Sequence, residues 1–159
     1  MAVSSGCLTA PDMAHFATLD RTVCFPQWVS RGDAFVKHVP DWSCAAYWTQ
    51  YPNVRVWPYE DRVDPCFDES RPIASGGLRK SNVDDVWHNS LLFALQLAPR
   101  LGFSRIEFVG VDLLGGLAVV SDYLRTWHPL ARAAGIEWVN LSPISTLCEW
   151  MPSLEGSAV

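Results

Sequence analysis

The clearest pattern of hydrophobic and polar positions lies between residues 89 and 112. Ser90-Leu91-Leu92-Phe93-Ala94-Leu95-Gln96-Leu97-Ala98 is apolar on almost every side, which predicts a helix packed against a sheet rather than one with a solvated face. Ser90 or Asn89 supplies an N-cap, where orphan backbone N–H groups gather. Gly102 suits the left-handed residue that follows a helix. Pro99 either ends the helix at Ala98 or kinks its last turn. Ile106-Glu107-Phe108-Val109-Gly110-Val111 is β-branched and aromatic, as a central strand requires. Asp112 then stands at the carboxyl end of that strand, the edge where open α/β sheets bind ligands.

Elsewhere the pattern is weaker. Residues 1–3 suggest a stub of strand, followed by Ser4-Ser5-Gly6-Cys7-Leu8-Thr9, and Thr9 and Pro11 predict a helix over 11–19. A strand, a Ser/Gly turn at Ser5 and Gly6, and a helix can present backbone N–H groups to phosphate; an ordinary polar turn accounts for the same residues. Residues 21–25 read as a strand, 32–38 as a short helix broken by Pro40, 42–48 as a buried strand of small residues, and 53–57 as a strand at an edge. Residues 58–89 carry prolines, Gly76, Gly77 and many charges without periodicity. They are expected to form a loop arching over the ligand edge. Within it Gly76, Arg79 and Lys80 form the most site-like group, since glycine admits a close backbone approach and the two cations neutralise phosphate; a solvated turn is the alternative. Residues 113–116 suggest a turn, 121–135 a helix interrupted at His128-Pro129, and 136–140 the last strand. Asn140, Ser142 and Ser145 in the loop after it would share the edge with Asp112, or serve as turn and cap residues. The pattern therefore predicts the α/β class, in one domain over 1–152 with a flexible tail at 153–159.

Composition narrows the function. The 159 residues are 49% hydrophobic, enough for a packed core, and the net charge of −5 gives no footprint for general nucleic-acid or anionic-membrane binding. The five cysteines are scattered, with no Cys/His spacing of a zinc site, which fits reduced thiols in a cytoplasm. No basic-then-apolar leader and no run of membrane-span length stands out. Asp84-Asp85 looks like a metal pair but suits a solvated turn better. Eight tryptophans are many for this length, and Trp28, Trp42, Trp48, Trp57 and Trp87 could form a partner surface.

Several phrases together resemble a known family. Asn89-Ser90, Ala94-Leu95-Gln96-Leu97-Ala98, Leu101-Gly102-Phe103, Ile106 and Gly110-Val111-Asp112 are similar to the signature of 6-hydroxymethylpterin-diphosphokinase-like domains, a Rossmann-like group with many phage members. Gly135-Ile136-Glu137-Trp138-Val139-Asn140-Leu141-Ser142-Pro143 and Ser145 resemble the family's last strand and turn. Val3-Ser4-Ser5-Gly6 resembles its opening phosphate turn, with Cys7 where the family has proline. Pro40-Asp41-Trp42 and Trp48 resemble its aromatic segment, and Leu91 stands where it has glycine. The family fold is in turn similar to that of bacterial sialyltransferases using CMP-sugars.

The resemblance implies a Rossmann-like, mostly parallel sheet flanked by helices, and a nucleotide or another phosphorylated ligand lined by Ser5, Gly6, Asn89, Ser90, Asp112, Asn140 and Ser142. As a glycosyl- or diphosphoryl-transferase the chain would use Asp112 to bind the ribose or a divalent metal such as magnesium, Arg79 and Lys80 for phosphates, and His128 as base. As a phage protein that sequesters a nucleotide signal in the host cytoplasm, it would bind without turnover. A third reading is a structural or partner-binding module, in a virion or as a homo-oligomer.

Overall fold

The computed structural model describes residues 1–3, 14–19, 35–41, 45–76, 89–111, 113, 118–142 and 144–151. The chain divides into two compact units, Met1–Leu97 and Ala98–Val159. The class is α/β, with helices and short strands, and every strand pairing among the described residues is parallel.

In the first unit β1 (Ala2–Val3), β2 (His15–Ala17), β3 (Val36–Pro40) and β4 (Val54–Trp57) form one sheet in chain order. Phe16 pairs with Lys37 and Lys37 with Val54, while Ala17 pairs with His38 and His38 with Arg55. The alternation of a strand therefore puts Phe16, Lys37 and Val54 on one face and Ala17, His38 and Arg55 on the other. Phe16, Val39 and Trp48 are completely buried, and the Phe16 ring meets Phe35 edge-on at 6.1 Å and Trp48 at 5.9 Å.

Two predicted helices are corrected here. The helix expected over 11–19 contains strand β2, and the one expected over 32–38 ends in β3. Lys37 and His38 hide the apolar alternation of β3, yet both are buried. The Lys37 ammonium donates to the Pro52 carbonyl at 2.9 Å and lies 4.9 Å from the Phe35 ring centre; His38 bonds two side chains described below. Pairing on both sides outweighs the weak local preference. Conversely, the strand expected over 42–48 contains a single helical turn, α1 (Ala45–Trp48), for which Ala45 and Ala46 have the better propensity. The strand expected over 53–57 is β4, the last strand of its sheet among the described residues.

The long loop expected over 58–89 is also part structure. β5 (Tyr59–Glu60) pairs with β6 (Ile73–Ala74), and Gln96 of α2 (Ser90–Arg100) secures them. Gln96, fully buried on an otherwise apolar helix, accepts from the Ala74 N–H at 3.0 Å and returns a bond from Nε2 to the Ala74 carbonyl at 2.8 Å. Its amide thus bonds β6 as a neighbouring strand would. The same oxygen accepts from the Cys66 N–H at 2.8 Å, and Nε2 also donates to the Leu92 carbonyl at 3.0 Å.

In the second unit β7 (Arg105–Phe108), α3 (Ala118–Ala133) and β8 (Glu137–Asn140) make a βαβ unit whose strands pair directly, Phe108 opposite Asn140. Helix α2 runs through Pro99 to Arg100. Its end is a Schellman turn: Gly102, at φ 87°, donates to the Pro99 carbonyl at 2.9 Å, and Phe103 to that of Ala98 at 3.1 Å. Gly135, at φ 78°, closes α3 the same way, its N–H bonding Arg132 and that of Ile136 bonding Ala131. Val120, Leu124, Trp127 and Ala131 form the buried stripe of α3. The interruption expected at His128-Pro129 is absent: the helix continues, with Pro129 on its exposed side, where water can satisfy the Arg125 carbonyl that proline leaves without a helical donor. A 3₁₀ turn at Thr146–Glu149 follows β8. Among the described residues no helix is long and apolar enough to cross a membrane. The strand expected over 21–25 and the tail at 153–159 lie outside the described residues.

Candidate functional site

At the carboxyl end of β2 the backbone continues to Thr18, whose N–H donates to the His38 carbonyl at 3.2 Å, and to Leu19, whose N–H donates to Ser90 Oγ at 3.1 Å. That bond sets the first residue of α2 beside the end of a parallel strand. Asn89 is the cap: its Oδ1 accepts from the N–H of Leu91 at 2.9 Å and of Leu92 at 3.4 Å. Of the two residues with capping chemistry, Asn89 thus closes the helix and Ser90 ties it to β2. Both are half-buried. At the end of β3, the Asp41 carboxylate accepts from the Tyr59 N–H at 2.9 Å.

Gly76 has the positive φ of 86° that favours glycine, but it is buried and its N–H donates to the Arg62 carbonyl at 2.9 Å. Its neighbour Ser75 donates to the Asp61 carboxylate at 2.9 Å. Ser5, Gly6, Arg79, Lys80 and Asp112 lie outside the described residues.

In the second unit Asn140, Ser142 and Ser145 are buried, and their polar atoms bond the chain's own backbone. Asn140 accepts from the Ser142 N–H at 2.9 Å and donates to the Met151 carbonyl at 3.1 Å. Ser142 Oγ accepts from the Val111 N–H at 3.1 Å, while Ser145 Oγ donates to the Val111 carbonyl and accepts from the Leu147 N–H at 3.1 Å. Two hydroxyls therefore grip both polar groups of one peptide residue after β7. This is the turn and cap chemistry open to these residue types, directed at a loop rather than toward solvent.

His128 stacks on Trp138 at 5.7 Å and meets Trp150 at 5.6 Å; burial, then the nearby Arg132, holds its pKa below the ordinary 6.5. It is a packing partner of two indoles. Trp48 and Trp57 are buried in the first unit, which removes them from the expected partner surface; Trp28, Trp42 and Trp87 lie outside the described residues. The Cys66 thiol donates to the Asp68 carbonyl at 3.6 Å and that of Cys148 to the Ser142 carbonyl at 3.3 Å. Among the described residues no group of three or more His, Cys, Asp or Glu is arranged to hold a metal ion.

One polar cluster was not anticipated. On the face of the first sheet that carries His38, His15 Nδ1 lies 3.0 Å from His38 Nε2, and the Trp57 indole donates to His38 Nδ1 at 2.9 Å. The Arg55 guanidinium covers the Trp57 ring at 4.4 Å. Burial, then His15 and then Arg55 push the His38 pKa down from 6.5 to about 4. Burial and then the Met1 amino group lower that of His15. Reading 32–38 as helix separated these residues; only adjacent parallel strands bring His15, His38 and Trp57 to one face.

No protein-family model matches the chain, and no curated protein or solved structure matches it.

Proposed function

We propose that this chain is a Rossmann-like domain that binds a nucleotide or nucleotide-linked phosphorylated ligand at the carboxyl edge of its parallel strands. The observation that carries this reading is the Leu19 N–H bond to Ser90 Oγ, which sets the N-terminus of an eleven-residue helix at the end of β2. The helix dipole favours negative charge there, and parallel sheets leave their carboxyl edge open to ligands. The resemblance of Asn89-Ser90 and the phrases after it to a phosphate-handling family supports the same edge.

Retention of the ligand without group transfer is the form of this proposal that His128 favours. The base expected of a transferase is stacked on Trp138 and in contact with Trp150. Nucleotide-signal sequestration is then the role, and glycosyl or diphosphoryl transfer the second reading.

Calorimetric titration with CMP, ATP and inorganic phosphate, beside native mass spectrometry of the purified chain, tests the proposal. A nucleotide should bind stoichiometrically and be recovered unchanged after incubation; a product of altered mass would favour transfer. Ser90→Asp should keep the helix stable, since a carboxylate suits its first turn, yet weaken nucleotide binding about tenfold, near 1.4 kcal/mol. A chain that ignores all three ligands contradicts the reading.

A further inference from the structure

The unanticipated cluster on the first sheet has only one workable arrangement of hydrogens. An indole nitrogen can only donate, and each neutral imidazole carries a single N–H. Trp57 fills the gap to His38 Nδ1 with its own hydrogen, so His38 Nδ1 must be bare and the His38 proton must sit on Nε2. That proton fills the second gap, so His15 Nδ1 must be bare and its proton must sit on Nε2. Any added proton breaks the chain. On His15 it occupies Nδ1 and meets the His38 hydrogen, or drives that hydrogen to Nδ1, where it meets the indole N–H. On His38 it meets the indole directly. In every case two hydrogens share a gap of 3.0 Å or less.

We propose that His15, His38 and Trp57 form a proton-sensitive latch that clips β2, β3 and β4 together on one face while both imidazoles are neutral, and that one proton opens it. The latch bridges three successive parallel strands, so opening it loosens β2 without touching the opposite, Phe16 face. His15 is half-buried, which gives protons a way in, while His38 is sealed.

Among the described residues, the charged groups that act on the two imidazoles disfavour that extra proton. The Met1 amino group acts on His15 and the Arg55 guanidinium on His38, and both are cationic. Helix α1, packed against β3, carries only Ala45, Ala46, Tyr47 and Trp48. The Asp41 carboxylate beyond β3 is engaged by the Tyr59 N–H. Lys37 lies on the other face by strand alternation, its ammonium at the Pro52 carbonyl. Burial first, and these like charges second, lower both imidazole pKa values, that of His38 to about 4, so the latch is closed at neutral pH and opens in acid.

The test is tautomer-resolved NMR of the imidazoles and of the Trp57 indole, the latter identified by its loss in Trp57→Phe, on the full ¹⁵N-labelled chain between pH 7.5 and 4. At pH 7.5 both imidazoles should be Nε2–H tautomers and the Trp57 indole proton should exchange slowly. On acidification the indole signal should move with the same midpoint as the histidines, on the acid side of free histidine. Amide exchange at Phe16 and Ala17 should quicken in step. His15→Phe should raise the His38 midpoint by removing the like charge. A His38 carrying its proton on Nδ1 at pH 7.5, or an indole signal indifferent to histidine titration, overturns the latch. If acid unfolds the chain first, the tautomers at pH 7.5 decide alone.

Discussion

Gln96 shows how one polar side chain can hold a segment that local pattern leaves unassigned. Its amide makes four hydrogen bonds, three of them to backbone groups of Cys66 and Ala74 in the segment before α2. Gln96→Leu would suit the helix and enlarge its apolar surface, yet leave the Ala74 N–H and carbonyl and the Cys66 N–H without that partner. A buried polar group stripped of its bond costs about 1–3 kcal/mol, so we expect the variant to lose about 3 kcal/mol or more in urea unfolding. A change under about 1 kcal/mol would mean that β6 does not depend on this amide. The chemistry of such residues was visible beforehand, but not its target. Asn89 and Ser90 both had capping chemistry, and only the position of Leu19 assigns the cap to one and the strand anchor to the other. Ser142 and Ser145 were legible as loop residues, while the Val111 peptide they grip belongs to a distant stretch of chain.

The elements best anticipated were those with local and consistent signals. Helix α2 combined an apolar run, a polar cap and a glycine stop; β7, α3 and β8 had matching periodicity and turns. Among the elements missed were β2 and β3, whose three and five residues are too short to show a period and contain His15, Lys37 and His38. Their strand character comes from parallel neighbours 14 to 21 residues away, a non-local term that propensity does not contain. Proline misled in the opposite direction. Pro129 signals a break, yet α3 passes through it because the stripe of Val120, Leu124, Trp127 and Ala131 keeps the helix docked. That proline is tolerated rather than required. Pro129→Ala should restore a helical N–H and stabilise the chain by about 1 kcal/mol or more in thermal unfolding, since interior proline costs about 3 kcal/mol and its stiffening of the unfolded chain offsets part of that. A destabilised variant would show that the ring packs in a way the helix needs.

For the chain as a folded entity, pH is the variable that reports on the first unit. Above pH 6.5 His38 is neutral in both folded and unfolded chains, and the stability it contributes is fully present. As pH falls toward about 4, the unfolded chain takes up a proton that the folded one resists, so that stability is lost across the interval. Each pH unit is worth about 1.4 kcal/mol, so the fall from pH 6.5 to pH 4.5 removes about 2–3 kcal/mol. Urea unfolding at pH 7 and pH 4.5 should show this loss, and His38→Phe should flatten it. A wild-type curve without slope below pH 6.5 would contradict the buried neutral imidazole.

The net charge of −5 sets a complementary constraint: it gives no general attraction to polyanions, so any phosphorylated ligand must be captured locally. The most direct measurement is therefore a backbone NMR titration of the full chain with CMP and with ATP. The proposed site predicts saturable amide shifts gathered at Leu19, Ser90, Leu91 and Leu92, around the junction of β2 with α2. Shifts gathered away from that junction, or none at millimolar nucleotide, would contradict a ligand edge there.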